Sequence, residues 1–305
     1  MLQYIVRRIA MVLLSIFILL TLVFFTFHLV PGDPAQEIAG QQTQIDVERV
    51  REYLGLNDPV FVQYMRYLGN AIRGDLGVSA ILQGKISHAV RAALPYTLLL
   101  VVTSMSLAVL IGIPLGTVAA VKYRSMVDYV MILAVVVLLS MPNFWIGLIL
   151  INWLSVRAGL FPTCGFSGFS SVVLPSFAIA ARLIAIVARM SRSSMLEVIR
   201  QDYIQTARAK GLKERVVIYK HALRNALIPT VTVIGLQIGY LVGGAIVIEV
   251  LFAWPGIGQL TINAIRMRDY NMVQGTTLVF VTGFLVVNLI IDLLYGYLDP
   301  RIRYD

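Results

Sequence analysis

The sequence predicts an all-α protein, a polytopic membrane bundle of six transmembrane helices with a helical loop on the external side. The first observation is composition: apolar residues make up 58% of the 305 residues and charged residues only 13%, whereas soluble domains carry about 25% charge. The second is a set of six apolar stretches, each long enough to cross about 30 Å of hydrocarbon at about 1.5 Å per residue. The third is that lysine and arginine gather in alternate connections, as the positive-inside rule expects.

The first element is an apolar stretch over residues 9–30, preceded by Arg7 and Arg8. A secretory signal peptide also begins with basic residues, but its apolar region is usually about 7–15 residues long and ends at a small-x-small cleavage site. Here the run is longer and no such site follows it. We therefore predict a retained anchor helix, with residues 1–30 as the first region of the chain.

Residues 31–95 form a predicted external loop that contains two short helices. One runs from Asp46 to Gly55. The next begins at residues 57–59, Asn-Asp-Pro, which supply a cap and a proline in the first helical turn, and Gly74 can end it. Two interpretations are open for this second helix: it lies on the bilayer surface, or it docks or gates something at the external mouth. Its predicted apolar face consists of Phe61, Tyr64, Leu68 and Ile72.

Residues 96–305 form the predicted core. Its five apolar stretches run over residues 96–121, 129–156, 172–190, 226–248 and 273–291. Prolines permit kinks or breaks in the second and third spans and at the start of the fifth; they are Pro114, Pro142 and Pro229. The fifth span repeats glycine every fourth residue, at Gly235, Gly239 and Gly243. Such a stripe lets membrane helices approach closely and predicts bundle packing.

Three ionisable residues lie within or at the ends of these spans. A charge at the middle of a membrane helix costs about 2.5–3.5 kcal/mol on insertion scales, so each needs a partner or a wet cavity. Glu249 ends the fifth span and Asp292 the sixth, and we expect both to reach the interface. Arg182 lies near the middle of the fourth span. It is either a structural pair, with Glu249 or a residue of a second subunit, or a cavity-lining cation that meets a carboxylate of a passing substrate.

The distribution of basic residues predicts the orientation. With the N-terminus inside, the cytoplasmic segments hold fifteen of the 25 lysines and arginines and the external segments nine. Six of those nine lie in the 31–95 loop, which is long enough to be translocated regardless of charge. We therefore predict that both termini are cytoplasmic, and that the formal charge of +9 reflects membrane topology rather than binding to nucleic acid.

The sequence contains no recognisable motif for catalysis or metal binding. The chain has no Gly-x-x-x-x-Gly-Lys-Ser/Thr sequence, so it cannot hold ATP phosphates in a P-loop. Its three histidines, His28, His88 and His221, lack metal-ligand spacing, and the single Cys164 excludes a disulfide framework. We predict no catalytic residue, no metal ligand and no enzymatic activity, so that any energy source must come from a partner.

The most charged segment, residues 191–228, is a predicted cytoplasmic loop. It is a basic, amphipathic helix–loop–helix with Gln205-Thr206-Ala207 and, further on, Gly211. The segment resembles the EAA loop of permease subunits of binding-protein-dependent ABC importers, the surface on which the ATPase sits. These three residues occupy the Glu-Ala-Ala positions and Gly211 matches the glycine. Where the general motif has Ile-x-Leu-Pro, residues 221–224 read His-Ala-Leu-Arg, which resembles the peptide/nickel branch rather than sugar-type permeases.

The resemblance to peptide-type permeases extends over nearly the whole chain. The matching strings stand in the family's order, at its spacing and on the predicted sides of the membrane. Outside the docking loop they are Val-Pro-Gly-Asp-Pro-Ala at 30–35, Leu-Gly-Leu at 54–56 with Arg-Gly-Asp-Leu-Gly at 73–77, Phe-Ala-Trp-Pro-Gly-Ile-Gly at 252–258 with Arg-Asp-Tyr at 268–270, and Asp-Pro-Arg-Ile-Arg-Tyr at 299–304.

The resemblance implies a type I ABC importer permease in the bacterial inner membrane. Its implied partners are a second homologous permease, two ATPase subunits that bind ATP and Mg²⁺, an extracytoplasmic substrate-binding protein and the bilayer, with no cofactor in this chain. The implied substrate is a short peptide, with glutathione-like peptides or a nickel complex also possible. Residues in ATPase-docking positions are Gln205, Thr206, Ala207, Ala209, Lys210 and Gly211. The resemblance also implies that the fourth span borders the path and that the fifth span is a mobile helix lining it. The predicted path-lining residues are therefore Arg182 in the fourth span, and Gly239 and Gly243 in the fifth.

The main alternative is a secondary transporter or channel that works without ATPases. It would need ion-coupling groups inside the membrane, and the spans offer only Arg182 and Asp292. An intramembrane enzyme ranks third, because the chain contains no nucleophile–base or metal set.

Overall fold

The computed structural model describes residues 2–29, 47–79, 81–82 and 84–298. The predicted helix start at Asp46 and the strings at 30–35 and 299–304 lie outside these residues. Two π-helical stretches occur within these described ranges, Ile151–Arg157 and Val217–Ala222. The described residues form twelve α-helices: α1 (Leu2–Leu29), α2 (Val47–Leu54), α3 (Val60–Ile72), α4 (Ile86–Val121), α5 (Met126–Ser140), α6 (Asn143–Leu150), α7 (Phe169–Ile199), α8 (Asp202–Ala209), α9 (Glu214–Val216), α10 (Leu223–Leu251), α11 (Ile257–Arg266) and α12 (Tyr270–Leu298).

Five of the predicted spans are continuous helices in the described chain. The helical stretches long and apolar enough to cross a membrane are Ile5–Thr26, Ile86–Val121, Phe169–Ile199, Glu214–Leu241 and Tyr270–Leu293. Pro114 and Pro229 lie inside unbroken helices. The helices also exceed the predicted spans, since α4 begins before residue 96 and α7 continues past residue 190. Hydropathy marks the hydrocarbon crossing, whereas a helix can continue into water.

The predicted third span is broken. Helices α5 and α6, the latter with its π-helical continuation, are bent by 106° at a short break and together count as one further span. Met141, the residue before Pro142, is extended, with φ −91° and ψ 132°. This conformation follows from the steric clash between a proline ring and a helical preceding residue. The break permitted by Pro142 is therefore confirmed.

The chain forms two compact units, Met1–Tyr96 with Pro255–Asp305, and Thr97–Trp254. The boundary falls inside α4, which contributes its first turns to one unit and its remainder to the other. The predicted regions 1–30, 31–95 and 96–305 divide the chain by function, and that division stays a prediction.

In the first unit, α1 packs against α12 and α3. Arg8, near the start of α1, forms an ion pair of 2.7 Å with Asp292, near the end of α12. Towards the other end of α1, the hydroxyls of Thr21 and Tyr64 lie 2.7 Å apart, and the ring of Phe24 packs against that of Tyr64 at a tilt, with the ring centres 5.2 Å apart. Because Arg8 and Asp292 touch, the first turns of α1 lie beside the last turns of α12, and the two helices run antiparallel.

Only part of the predicted apolar face of α3 packs within this chain. Tyr64 and Leu68 are partly buried, but Phe61 and Ile72 are 67% and 83% exposed. Tyr67, which was not in the predicted face, packs its ring on α1 instead. Burial raises the pKa of the Tyr67 hydroxyl.

The start of α3 also differs from the prediction. Pro59 precedes the helix rather than opening it, and no side chain caps the first turn. The Asp58 carboxylate forms an ion pair with Arg66 instead.

A buried aspartate ties the segment between α3 and α4 to the start of α12 in the same unit. Asp269 is 3% exposed. One carboxylate oxygen accepts a hydrogen bond from the Ser79 hydroxyl, and the other accepts from the Met272 backbone N–H at 3.0 Å. The Asn271 amide donates to the Val78 carbonyl at 3.2 Å. The Arg-Asp-Tyr string at 268–270 therefore has a structural role at this corner.

In the second unit, α7 is the central helix, and most of its apolar residues are buried. It packs against α5, α6 and α10, and α4 approaches it at two glycines. A Cβ atom at Gly116 would lie 2.3 Å from the Ala188 carbonyl oxygen, and one at Gly112 would lie 2.9 Å from Val187. Both distances are shorter than real Cβ atoms show, so a side chain at either position would force α4 or its neighbour to shift.

Candidate docking surface and transmembrane cavity

The predicted docking residues lie on α8 and the turn that follows it. The Thr206 hydroxyl donates to the Asp202 carbonyl at 3.0 Å. Gly211 ends the segment with φ +74°, a left-handed conformation that glycine adopts without steric cost, and its N–H donates to the Arg208 carbonyl at 2.9 Å. Helix and turn together form a short, defined projection.

Five of the six predicted docking residues are exposed on this projection: Gln205, Thr206, Ala209, Lys210 and Gly211. Ala207 is 8% exposed and points inward together with Ile204, which is fully buried. Both belong to an apolar cluster that includes Met195 of α7 and Ala226 of α10. The inner face of α8 is therefore joined to two spanning helices, while its outer face is available to a partner.

An ion pair braces the projection. Arg208 donates from Nη2 to one oxygen of Glu214 at 2.7 Å and from Nε to the other at 3.2 Å. This bonding raises the pKa of Arg208, so its guanidinium stays charged. The Asn225 amide also donates to the Tyr203 hydroxyl at 2.7 Å. Both contacts are exposed and contribute little energy, but they fix α8 relative to α9 and α10.

A buried ion pair that the sequence analysis missed joins α5 to α7. The Asp128 carboxylate is 1% exposed and accepts from Arg192 Nε at 2.5 Å and Nη2 at 2.8 Å. It also accepts from the backbone N–H of Arg124 at 3.0 Å. In the sequence, Arg192 is one of the fifteen basic residues predicted to lie on the cytoplasmic side. Asp128 could have been noticed as the acidic residue in the first turn of an apolar helix.

A cavity of about 390 Å³ opens at the break between α5 and α6. Arg182 reaches it from α7, and its guanidinium carbon lies 5.1 Å from the centre of the Tyr240 ring. Within the described residues, Arg182 Nε is buried without a hydrogen-bond partner and the side chain forms no ion pair. The lining contains no acidic residue; it consists of Leu139, Ser140, Met141, Pro142, Asn143, Phe144, Arg182, Tyr240, Gly244 and Val247.

The other predicted path-lining residues do not line this cavity. Gly239 is buried and Gly243 is exposed, whereas the glycine that α10 contributes to the lining is Gly244. The sequence contains Gly244 beside the glycine stripe, but helical spacing alone could not say which face meets a cavity. The path-lining roles of Gly239 and Gly243 stay predictions.

The two acidic residues at span ends have different environments. Glu249 is fully buried, and its carboxylate accepts a hydrogen bond of 2.6 Å from the Thr97 hydroxyl, so its expected interfacial position is wrong. Bundle neighbours cover this end of α10, which hydropathy could not reveal. Asp292 is partly exposed and pairs with Arg8. The suggested pair between Arg182 and Glu249 is not formed.

No group of three or more His, Cys, Asp or Glu side chains that could hold a metal ion occurs in the part of the chain that the structure describes.

Comparisons with known proteins match the whole length of the chain. Residues 112–304 match the family model described as the binding-protein-dependent transport system inner membrane component, and residues 1–101 match the model of the N-terminal part of such membrane components. The glutathione transport system permease protein GsiC of Escherichia coli K12 is 41% identical over 305 residues, covering all of both chains. GsiC of Shigella boydii serotype 4 is 40% identical over the same length, again covering both chains completely.

Proposed function

Because the chain belongs to the family of binding-protein-dependent transport system inner membrane components, we propose that it forms half of a translocation path for short peptides. The chain is a permease subunit of an ABC importer, a multi-pass inner membrane protein that works with separate ATPase subunits and a substrate-binding protein. The proposal adds a second homologous permease to complete the path. Two ATPases would bind ATP and Mg²⁺, and this chain would need no cofactor.

The observation that carries the proposal is the braced projection of α8. Its exposed side presents Gln205, Thr206, Ala209, Lys210 and Gly211 as the docking surface for an ATPase subunit. Its buried side joins an apolar cluster with residues of α7 and α10, the helices that carry Arg182 and Tyr240. A push on α8 would therefore be transmitted to the walls of the cavity. In this way ATP-driven closure would open and close the path.

The proposed substrate class follows from the relatives. The GsiC proteins are named for glutathione transport, and glutathione is a short peptide. An identity of 41% over the complete chain makes glutathione the first peptide to test.

We also propose that both termini are cytoplasmic. The ion pair between Arg8 and Asp292 supports a common side for the ends of the first and last spans. The basic segment that contains α8 would lie on that same side, as the positive-inside rule favours.

Gly211→Val tests the docking function. A β-branched side chain resists the left-handed conformation of Gly211 by about 1 kcal/mol or more, and no atom lies within 4 Å of an added Cβ, so the strain is confined to the turn. We expect the variant to reach the membrane normally but to lose most glutathione uptake and the ATPase stimulation caused by the loaded binding protein.

Gly159→Val is the matched control. Gly159 also has a positive φ, +63°, and no atom lies within 4 Å of an added Cβ, but it lies in the loop after α6, far along the chain from the docking surface. This variant should keep both activities. Normal coupled uptake by Gly211→Val at an equal membrane level would contradict the proposed docking surface.

A further inference from the structure

We propose that the cavity at the break between α5 and α6 is an anion subsite, in which Arg182 binds a carboxylate of the transported peptide. The proposal rests on the proposed function and names the part of the substrate that this subunit recognises. The cavity has about 390 Å³ of space, at the lower end of the range of roughly 300–1,000 Å³ for small-molecule sites. It can hold one end of a short peptide.

The first argument is the state of Arg182. A guanidinium stays charged at physiological pH and presents a planar set of donors that matches a carboxylate. In the described residues its Nε is buried without an acceptor, and its contact is with the face of the Tyr240 ring. A cation–π contact orients the group but leaves its hydrogen-bond donors unused. An oxyanion entering the cavity would satisfy them.

The second argument is the backbone at the break. The first hydrogen bonds of α6 are donated by Trp145 and Ile146 to the Pro142 carbonyl. Asn143 and Phe144 precede them, so their N–H groups belong to the helix end where amides have no acceptor within the helix. Both residues line the cavity. The N-terminal end of α6, where the helix dipole is positive, therefore borders the same cavity as Arg182, an arrangement that favours anions.

The third argument is what the rest of the lining offers. Asn143 adds an amide side chain beside the cation, while Leu139, Phe144 and Val247 provide apolar walls. No acidic side chain lines the cavity to neutralise Arg182. Broken helices at membrane depth are tolerated where they border a wet cavity, and transporters commonly place substrate sites at such breaks.

The competing explanation is structural. An acidic residue of a second subunit could enter the cavity and pair permanently with Arg182. That arrangement would neutralise the cation and exclude small anions. The two explanations predict different results with a small charged reagent: an anion subsite would attract a small anion, whereas a neutralised cavity would not.

The first experiment measures the charge of the cavity directly in the purified, detergent-solubilised transporter. Cys164 is replaced by serine and Gly244 by cysteine, which fits because an added Cβ meets only Asn143 Nδ2, at 3.7 Å. The thiol is modified with methanethiosulfonates that carry a sulfonate or a trimethylammonium group. A change in the reactivity of the thiol itself would alter both rates by the same factor. The ratio of the anionic to the cationic rate therefore reports the charge of the cavity alone.

We expect Arg182→Gln to lower the anionic-to-cationic rate ratio by about tenfold, as one removed charge at close range in a wet site requires. Arg189→Gln is the matched control, because Arg189 lies on the same helix but is exposed and absent from the lining. It should leave the ratio unchanged. Equal ratios in the two variants, or a thiol that resists both reagents, would overturn the subsite.

The second experiment measures recognition of substrate in proteoliposomes supplied with the loaded binding protein. Uptake of glutathione is compared with that of its diamide, in which both carboxylates are neutralised. The binding protein can itself prefer one of the two peptides, but the same binding protein is used with every variant. Its preference therefore cancels when the variants are compared. Arg182→Gln should lower the ratio of glutathione uptake to diamide uptake by about tenfold. Arg182→Lys should keep most of that ratio.

The outcomes separate the two proposals. Absence of glutathione uptake by the wild-type transporter would contradict the proposed substrate class, while the thiol-modification ratio would still report on the anion site. Wild-type glutathione uptake, with an unchanged advantage in Arg182→Gln, would contradict the subsite alone.

Discussion

Asp128 illustrates how a single residue can be charged and buried at once in this protein. An isolated carboxylate in an apolar interior is costly, but Arg192 donates two hydrogen bonds to it and the backbone of Arg124 a third. Arg124 adopts a positive φ of 60°, uncommon for a side chain other than glycine, and its N–H points at the carboxylate. The local strain and the ion pair therefore form one unit that joins α5 to α7.

We predict that Arg192→Met lowers the thermal stability of the purified subunit. Removing one partner of a buried pair typically costs about 3–5 kcal/mol, and the lower end is expected because Arg192 is partly exposed. The double variant Asp128→Leu with Arg192→Met should recover much of the loss, since no unpaired carboxylate remains.

Arg189→Met serves as the control for an exposed arginine on the same helix. A single Arg192→Met variant as stable as this control would contradict the structural role of the pair. A double variant less stable than Arg192→Met would show instead that packing, rather than the unpaired charge, carries the effect.

At the scale of the helices, hydropathy predicted where the spans lie, but residue spacing predicted poorly which of their faces are in contact. The glycines in α10 at Gly239 and Gly243 were identified as a packing stripe, yet an added Cβ at Gly243 meets nothing within 4 Å in this chain. Among the described residues, glycines that do permit close packing include Gly112 and Gly116 of α4, which carry the same spacing. Lipid tails are as apolar as a neighbouring helix, so periodicity alone cannot say which face of a membrane helix meets protein.

We predict that Gly116→Ala forces α4 away from α7. The added methyl would overlap the Ala188 carbonyl, at 2.3 Å, and backbone cannot move aside cheaply. Loss of helix packing should lower the thermal unfolding temperature and increase proteolysis of the subunit in detergent. Gly283→Ala is the control, because nothing lies within 4 Å of its added Cβ, and it should be neutral or slightly stabilising. Equal behaviour of the two variants would contradict the close approach of α4 to α7.

The sequence signalled some of the other features and not the rest. The break at Pro142 was a permitted event that the sequence signalled, because proline restrains the residue before it. The burial of Glu249 was not signalled, since a carboxylate at the end of an apolar run fits an interfacial or a buried position equally well. Arg182 was identified as anomalous from its sequence position alone, but the cavity around it depends on three separate helices, α5, α6 and α10, beside its own.

At the scale of the whole molecule, the order of the spans predicts which connections lie on the same side of the membrane and which lie on opposite sides. The ion pair between Arg8 and Asp292 places the first turns of α1 beside the last turns of α12. If the broken pair α5–α6 counts as one span, the chain crosses the membrane six times, which returns the two ends to one side. The loop before α7, which contains the exposed Cys164, and the turn after α8 are separated by a single crossing, α7.

We therefore predict that these two positions label from opposite sides. In right-side-out vesicles an impermeant maleimide should modify native Cys164, which is exposed. In a Cys164→Ser background, cysteine placed at the exposed Lys213 should resist the reagent until the membrane is opened with detergent. Inverted vesicles should reverse both results, which controls for intrinsic reactivity at each site. Labelling of both cysteines from the outside would contradict the six-span topology, and with it the assignment of α8 to the cytoplasmic, ATPase-facing side.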